Sequence, residues 1–237
     1  MRHEWGRDVW PKFAAVLIAA ALTAAGASAQ TRHDSGGWLS VFRNGPFVAC
    51  EKSSLRWWFD GQSRFVEDAG GFNQLLIRPG LGYAVGDDQT LWYGYAYIRT
   101  APGAPGREFD ENRMWQQWMY TPSAGDWSFV HRSRLEQRWV ETGRDVGLRF
   151  RQFARAQYNL SETPQWSLIA WDEGFFHLNN TDWGARTGFD QNRAFVGVGF
   201  RPTPKGVRYE LGYLNQYIYR RGGESVMNHI VSFSVFF

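Results

Sequence analysis

Apolar and polar side chains alternate through most of this chain, in runs about ten to fourteen residues long. Successive side chains of a β-strand point to opposite faces, so a period of two dictates one apolar and one polar face. Over 206–219, Val207, Tyr209, Leu211, Tyr213 and Tyr217 share one face, and Arg208, Glu210, Gly212 and Gln216 the other. Over 147–160, Leu148, Phe150, Ala154, Ala156, Tyr158 and Leu160 lie opposite Arg149, Arg151, Arg155, Gln157 and Asn159. Over 126–140, Trp127, Phe129, Leu135 and Trp139 oppose Arg132, Arg134, Glu136 and Arg138. The last run sets Val231, Phe233, Val235 and Phe237 against Ser232 and Ser234.

Strands are expected at 54–65, 72–84, 90–99, 112–121, 126–140, 147–160, 165–177, 190–201, 206–219 and 227–237, separated by turn-forming stretches such as Gly86-Asp87-Asp88 and Pro122-Ser123-Ala124-Gly125. Soluble strands average about five or six residues, whereas a tilted strand crossing a bilayer needs about nine to eleven. Aromatic residues make up 17% of the chain, and Trp127, Trp139, Tyr158, Trp166, Tyr217 and Tyr219 fall near strand ends, where interfacial girdles sit. The expected fold is all-β, an antiparallel transmembrane β-barrel of about ten strands, with twelve as the alternative. Connections at 202–205, 161–164, 122–125 and 85–89 are short, and those at 220–226, 178–189, 141–146, 100–111 and 66–71 tend to be longer. Short periplasmic turns alternating with longer outer loops is the pattern of outer-membrane barrels. Gly36 to Phe42 reads as an eleventh strand or as an extension, and an even count, which leaves both termini in the periplasm, favours a periplasmic or luminal extension.

The first residues differ in kind. Arg2, Arg7 and Lys12 precede an apolar run from Phe13 to Ala25, and Ala27-Ser28-Ala29 supplies small residues where a signal peptidase cuts. The expected organisation is a signal peptide at 1–29, an N-terminal extension or first strand at 30–52, and an outer-membrane barrel at 53–237 of a Gram-negative bacterium. The chain holds 26 Lys+Arg and 23 Asp+Glu. The leader carries three of the former and two of the latter, so the remainder is near balance and offers no case for nucleic-acid binding. A single cysteine, Cys50, forms no intramolecular disulfide, and no cluster has metal-ligand spacing, so neither metal nor cofactor is expected.

The stretches Phe72-Asn73-Gln74-Leu75-Leu76-Ile77-Arg78-Pro79-Gly80-Leu81-Gly82-Tyr83, Leu91-Trp92-Tyr93-Gly94-Tyr95-Ala96-Tyr97 and Ser133-Arg134-Leu135-Glu136-Gln137-Arg138 resemble the DUF2490 family of bacterial proteins. So do Asp172-Glu173-Gly174-Phe175-Phe176, Gly188-Phe189-Asp190-Gln191-Asn192-Arg193, Gly212-Tyr213-Leu214-Asn215-Gln216-Tyr217 and Met227-Asn228-His229. The resemblance implies an outer-membrane barrel and brings no activity or catalytic residues with it. A terminal Phe237 on an alternating aromatic strand likewise resembles the signal read by the outer-membrane assembly machinery. That machinery and outer-membrane lipid are the partners expected. The oligomeric state stays open.

With apolar faces toward lipid, the lumen receives Arg64, Arg78, Arg132, Arg134, Arg138, Arg149, Arg151, Arg155, Arg193 and Arg208, with Asp60, Glu136, Glu173 and Glu210. Guanidinium and carboxylate groups interleaved in a narrow bore satisfy one another as charge-assisted pairs. A packed structural network, a ligand site and a narrow anion-attracting pore are the readings this allows. An enzyme needs a nucleophile and a base. His131 and Ser133 share the lipid-facing side of one strand, which resembles the His-x-Ser arrangement of outer-membrane lipid A deacylases, with Glu141 or Asp145 to orient the histidine. Chance also places His and Ser two apart, and a non-enzymatic barrel is the leading expectation. Asn179, Asn180, Thr181, Asp182 and Trp183 form a polar loop expected to close on its own side-chain-to-backbone hydrogen bonds rather than to hold a sugar or cation.

Overall fold

The computed structural model describes residues 31–47, 54–66, 71–102, 106–161 and 165–237. The leader at 1–29, Gln30 and Cys50 lie outside the described residues. The elements are β1 (Thr31–Pro46), β2 (Leu55–Val66), β3 (Gly71–Gly86), β4 (Gln89–Thr100), β5 (Phe109–Tyr120), β6 (Ser123–Ala124), β7 (Trp127–Val140), β8 (Val146–Asn159), β9 (Gln165–His177), β10 (Gly188–Arg201), β11 (Arg208–Ile218) and β12 (Ser225–Phe236). Every strand expected from the alternation is present, with ends displaced by no more than three residues. The two-residue β6 pairs only with the start of β7, inside the turn that follows β5. The other eleven strands close into a barrel, β5 pairing with β7 and β1 with β12.

Residues 31–46 are therefore a full strand of the wall, not a periplasmic or luminal extension, and the even count does not hold. Antiparallel neighbours alternate in direction, so with eleven strands the first and last must run the same way. β1 accordingly pairs with β12 in parallel, from Thr31 opposite Ser225 to Phe42 opposite Phe236. The pairing ends with the Phe237 amide donating to the Phe42 carbonyl at 3.0 Å. All other pairings in the wall are antiparallel. As a consequence Thr31 and Phe237 lie at opposite ends of the barrel. β2, β4, β7, β9 and β11 end on the side of Thr31, and β1, β3, β5, β8, β10 and β12 end on the side of Phe237. The stretch of sequence between β1 and β2, 47–54, is longer than the short turns expected on that side.

Outward faces carry the apolar residues. Leu39, Leu81, Leu168, Leu211, Val196 and Val231 are each about half exposed or more. Aromatic rings bracket this band. Trp127 packs on Phe129 and Tyr158, and Trp166 on Phe200, toward the Phe237 end. Phe189 packs on Phe176, Tyr217 and Tyr219 toward the other. Trp127 and Trp139 mark the two ends of β7; at about 3.3 Å per residue and a tilt of about 40° they lie about 30 Å apart along the axis. Several polar residues that face outward pair with one another. Gln116 and Gln137 exchange amide hydrogen bonds at 3.1 and 2.9 Å, and Asn192 donates to both Asp172 carboxylate oxygens at 3.0 Å.

The lumen is not purely polar. Toward the Phe237 end it is filled by Trp58, Trp92 and Met119 beside the fully buried Trp115, and by Trp171, stacked on Phe195 and tilted against Phe153. Space for the Trp115 indole comes from Gly94, and from Gly80 paired with it across β3 and β4, since a Cβ on either would collide with the ring. Its Nε1 donates to the Tyr95 carbonyl at 3.1 Å. Gly94→Val forces a branched side chain into this packing and lowers stability by about 3 kcal/mol. The urea midpoint of the detergent-folded protein should fall accordingly, and an unchanged midpoint would contradict the placement of Trp115.

Candidate functional site

β7 and β8 run side by side with Glu136 opposite Arg149 and Arg134 opposite Arg151, all inward by the strand period. Glu136 is 1% exposed. It accepts from Arg149 Nε and Nη2 at 3.0 and 2.7 Å through one oxygen and from Arg151 Nη1 at 2.6 Å through the other. Arg151 reaches on to Glu173 of β9 at 3.0 and 2.8 Å, where Arg132 also donates at 2.5 Å. Glu111 of β5 takes two-pronged bonds from Arg113 at 2.7 and 2.8 Å and from Arg138 at 2.5 and 3.1 Å. Arg78 pairs with Asp60 at 2.7 Å. Nearer the Phe237 end, Glu210 takes Arg155 at 2.6 Å and Arg208 at 2.8 Å. Arg134 donates twice to Gln117 and lies over the Trp115 ring at 4.3 Å.

Thus Arg78, Arg132, Arg134, Glu136, Arg138, Arg149, Arg151, Arg155, Arg193, Arg208 and Glu210 all point into the lumen, and all but Arg134 and Arg193 meet a carboxylate or guanidinium partner within 3.0 Å. Sequence reasoning missed Glu111, Arg113 and Gln117. The expected strand starts at residue 112, with Glu111 in the preceding connection, whereas Glu111, Arg113, Trp115 and Gln117 keep the period of two along β5. It also missed the aromatic rings under the guanidinium groups. Arg64 and Arg193 lie over Trp38 at 4.0 and 4.9 Å, and Arg149, Arg151 and Arg193 lie over Phe175 at 5.2, 4.5 and 4.5 Å. An aromatic face attracts a cation without neutralising it, so these rings hold like charges near one another.

Above this lattice, toward the Thr31 end, the lumen widens into a chamber of about 530 Å³. Its wall includes Arg64, Arg78, Arg113, Arg193, Gln191 and Phe175. The 178–187 loop folds over part of the mouth. Asp182 accepts from the Arg144 and Asp145 amides at 2.8 and 3.1 Å, and these bonds hold its carboxyl below the ordinary carboxylate value. Trp183 donates to the Asp145 carbonyl at 2.8 Å and its ring enters the chamber beside Arg138, over Gly147, where no Cβ would fit. Asn179, Asn180 and Thr181 close on backbone groups of Leu148, Thr187 and Ala185. The loop side chains thus serve the loop itself.

His131 and Ser133 both face outward and meet through Gln152 of β8, which receives the Ser133 hydroxyl at 2.9 Å and contacts His131 Nε2 at 3.1 Å. Glu141 does not join them. It accepts the Asp110 amide at the far end of β7, ten residues and about 33 Å along the chain from His131. Asp145 is likewise held in the mouth by Asp182 and Trp183. The expected orienting carboxylate is absent because both candidates follow the end of the strand that starts before His131.

Removing the Glu136 charge leaves Arg149 and Arg151 facing a neutral amide. Glu136→Gln should cost about 3 to 5 kcal/mol, and adding Arg151→Gln should recover part of the loss. A double-mutant cycle on urea unfolding measures both, and independent, additive losses would contradict a shared network.

The family model described as "Protein of unknown function (DUF2490)" matches residues 35–227. An uncharacterized protein of Methylorubrum extorquens is 33% identical over 220 residues, covering 90% of this chain and 92% of that protein. Among solved structures, LpxR from Salmonella typhimurium is similar at a TM-score of 0.44 and 8% identity, over 78% of this chain and 83% of that one. The family match spans the wall from the first strand to the start of the last, and the chain belongs to the DUF2490 family.

Proposed function

We propose that this protein is an outer-membrane β-barrel that holds a small solute in a chamber open to the cell exterior and does not conduct ions. The observation that carries the reading is its inside-out distribution of side chains. Charged residues and a packed aromatic floor occupy the interior while large apolar residues stand exposed around the wall. Such a band far exceeds the apolar patches of soluble monomers, and between two aromatic girdles it matches the hydrocarbon layer. Outward polar groups that satisfy one another, such as Gln116 with Gln137, suit a medium that offers no hydrogen bonds. The longest connection, 178–187, sits at the chamber mouth, which supports a reading with that end outward and Phe237 toward the periplasm.

The aromatic packing around Trp115, Trp171 and Phe195 favours a closed bore over an anion-selective pore. An acyl hydrolase is less well supported, because the Ser133 hydroxyl is directed to Gln152 and no carboxylate among the described residues is bonded to His131. Two measurements test the reading together. The detergent-folded protein should migrate faster unboiled than boiled, and in planar bilayers it should give no conductance steps. Recovery in the soluble periplasmic fraction, or steady ion conductance, would overturn it.

A further inference from the structure

The charged lattice does not balance. Among the described residues, nine inward arginines, Arg64, Arg78, Arg113, Arg132, Arg134, Arg138, Arg149, Arg151 and Arg193, share the upper lumen with five carboxylates, Asp60, Glu111, Glu136, Glu173 and Asp190. Arg134, below the chamber, leans on neutral Gln117 with Glu136 only at 3.8 Å, and the least compensated pair stands at the chamber wall. Arg64 is 6% exposed and Arg193 is 7% exposed, yet neither has a carboxylate within ion-pair distance among the described residues. Among the described residues Arg64 donates only to the neutral amide oxygens of Gln74 at 3.0 Å and Gln62 at 2.7 Å. Arg193 donates to Gln191 at 3.3 Å, and that oxygen is already taken by Gln216 at 2.6 Å. The Nε groups of Arg64, Arg78 and Arg193 are buried without a hydrogen-bond partner.

A buried, unpartnered guanidinium is costly, and several together in a low-dielectric interior repel one another. The rings of Trp38 and Phe175 hold them in place without removing the charge. Such an arrangement is sustained when an anion completes it, and a guanidinium fork matches the oxygens of phosphate or carboxylate groups. The cavity lies within the range of small-molecule sites.

We infer that the chamber is a binding site for a small, multiply charged oxyanion, held between Arg64 and Arg193 beside Trp38. The ligand class rests on the proposal that the lumen is a binding chamber, but the site itself does not depend on which membrane the barrel occupies. The wall is continuous around the chamber, so the ligand enters as a free solute through the mouth rather than from the surrounding lipid.

The test uses the full chain folded in detergent at low ionic strength, with inorganic pyrophosphate as the probe and sodium chloride at matched ionic strength as the reference. Calorimetric titration should show saturable binding of one pyrophosphate, and its melting temperature should rise with pyrophosphate beyond the rise with chloride. Arg64→Gln and Arg193→Gln should each weaken binding at least tenfold while raising the melting temperature of the unliganded barrel, because each removes an uncompensated charge. Arg155→Gln, in the separate cluster around Glu210, should leave binding unchanged. Absence of saturable binding in a protein that still shows heat-modifiable migration would overturn the oxyanion site while leaving the barrel reading intact. Binding that survives both Arg64→Gln and Arg193→Gln would overturn the assignment of these residues.

Discussion

A sheet that closes on itself leaves no edge, so backbone donors and acceptors of each wall strand pair with neighbours on both sides. Here closure depends on the parallel seam between β1 and β12, twelve residue pairs long. With eleven strands no antiparallel arrangement could join the first to the last. The remaining features follow from that closed wall. Each strand presents alternate residues to a narrow bore and to the exterior, and the bore must be filled. Bulky rings fill it toward the Phe237 end, and guanidinium groups clasped by Glu111, Glu136 and Glu173 fill it toward the other.

The charged half behaves as one unit. Glu136 bridges Arg149 and Arg151, Arg151 bridges Glu136 and Glu173, and Arg132 shares Glu173. Each carboxylate thus draws arginines from neighbouring strands, tying β5, β7, β8 and β9 across their inner faces. Charge-assisted bonds are strong when fully satisfied, and costly when one partner is missing. Among the described residues the arginines around Glu111, Glu136 and Glu173 have carboxylate neighbours, whereas Arg64 and Arg193, which face the chamber, have none within ion-pair distance. The proposed binding role rests on that pair, at one end of an otherwise packed lumen.

Much of this was legible in the alternation. It placed ten of the eleven wall strands, and it assigned Arg149, Arg151, Arg155 and Glu136 to the inner face. The first strand was harder to read. Gly36, Gly37, Gly45 and Pro46 dilute its pattern, and the habit of even counts argued against it. The inward aromatics were also missed, because apolar residues were assigned to the lipid face. Gly80 and Gly94 were the available signal. Two glycines opposite one another on adjacent strands leave a hollow, and Trp115 occupies it. The pairing of Glu111 with Arg113 and Arg138 joins β5 to β7 across the 121–126 turn, and only the register reveals that.

The most direct test of the central claim is nitroxide accessibility in lipid bilayers. Single cysteines at Leu135, Val196 and Val231, in a Cys50→Ser background, place labels on the outward face at mid-strand. Labels in hydrocarbon collide readily with dissolved oxygen and rarely with a water-soluble nickel chelate. The inside-out barrel predicts high oxygen and low nickel accessibility at all three sites. Nickel accessibility equal to that of a water-exposed loop label at Thr203 would contradict it.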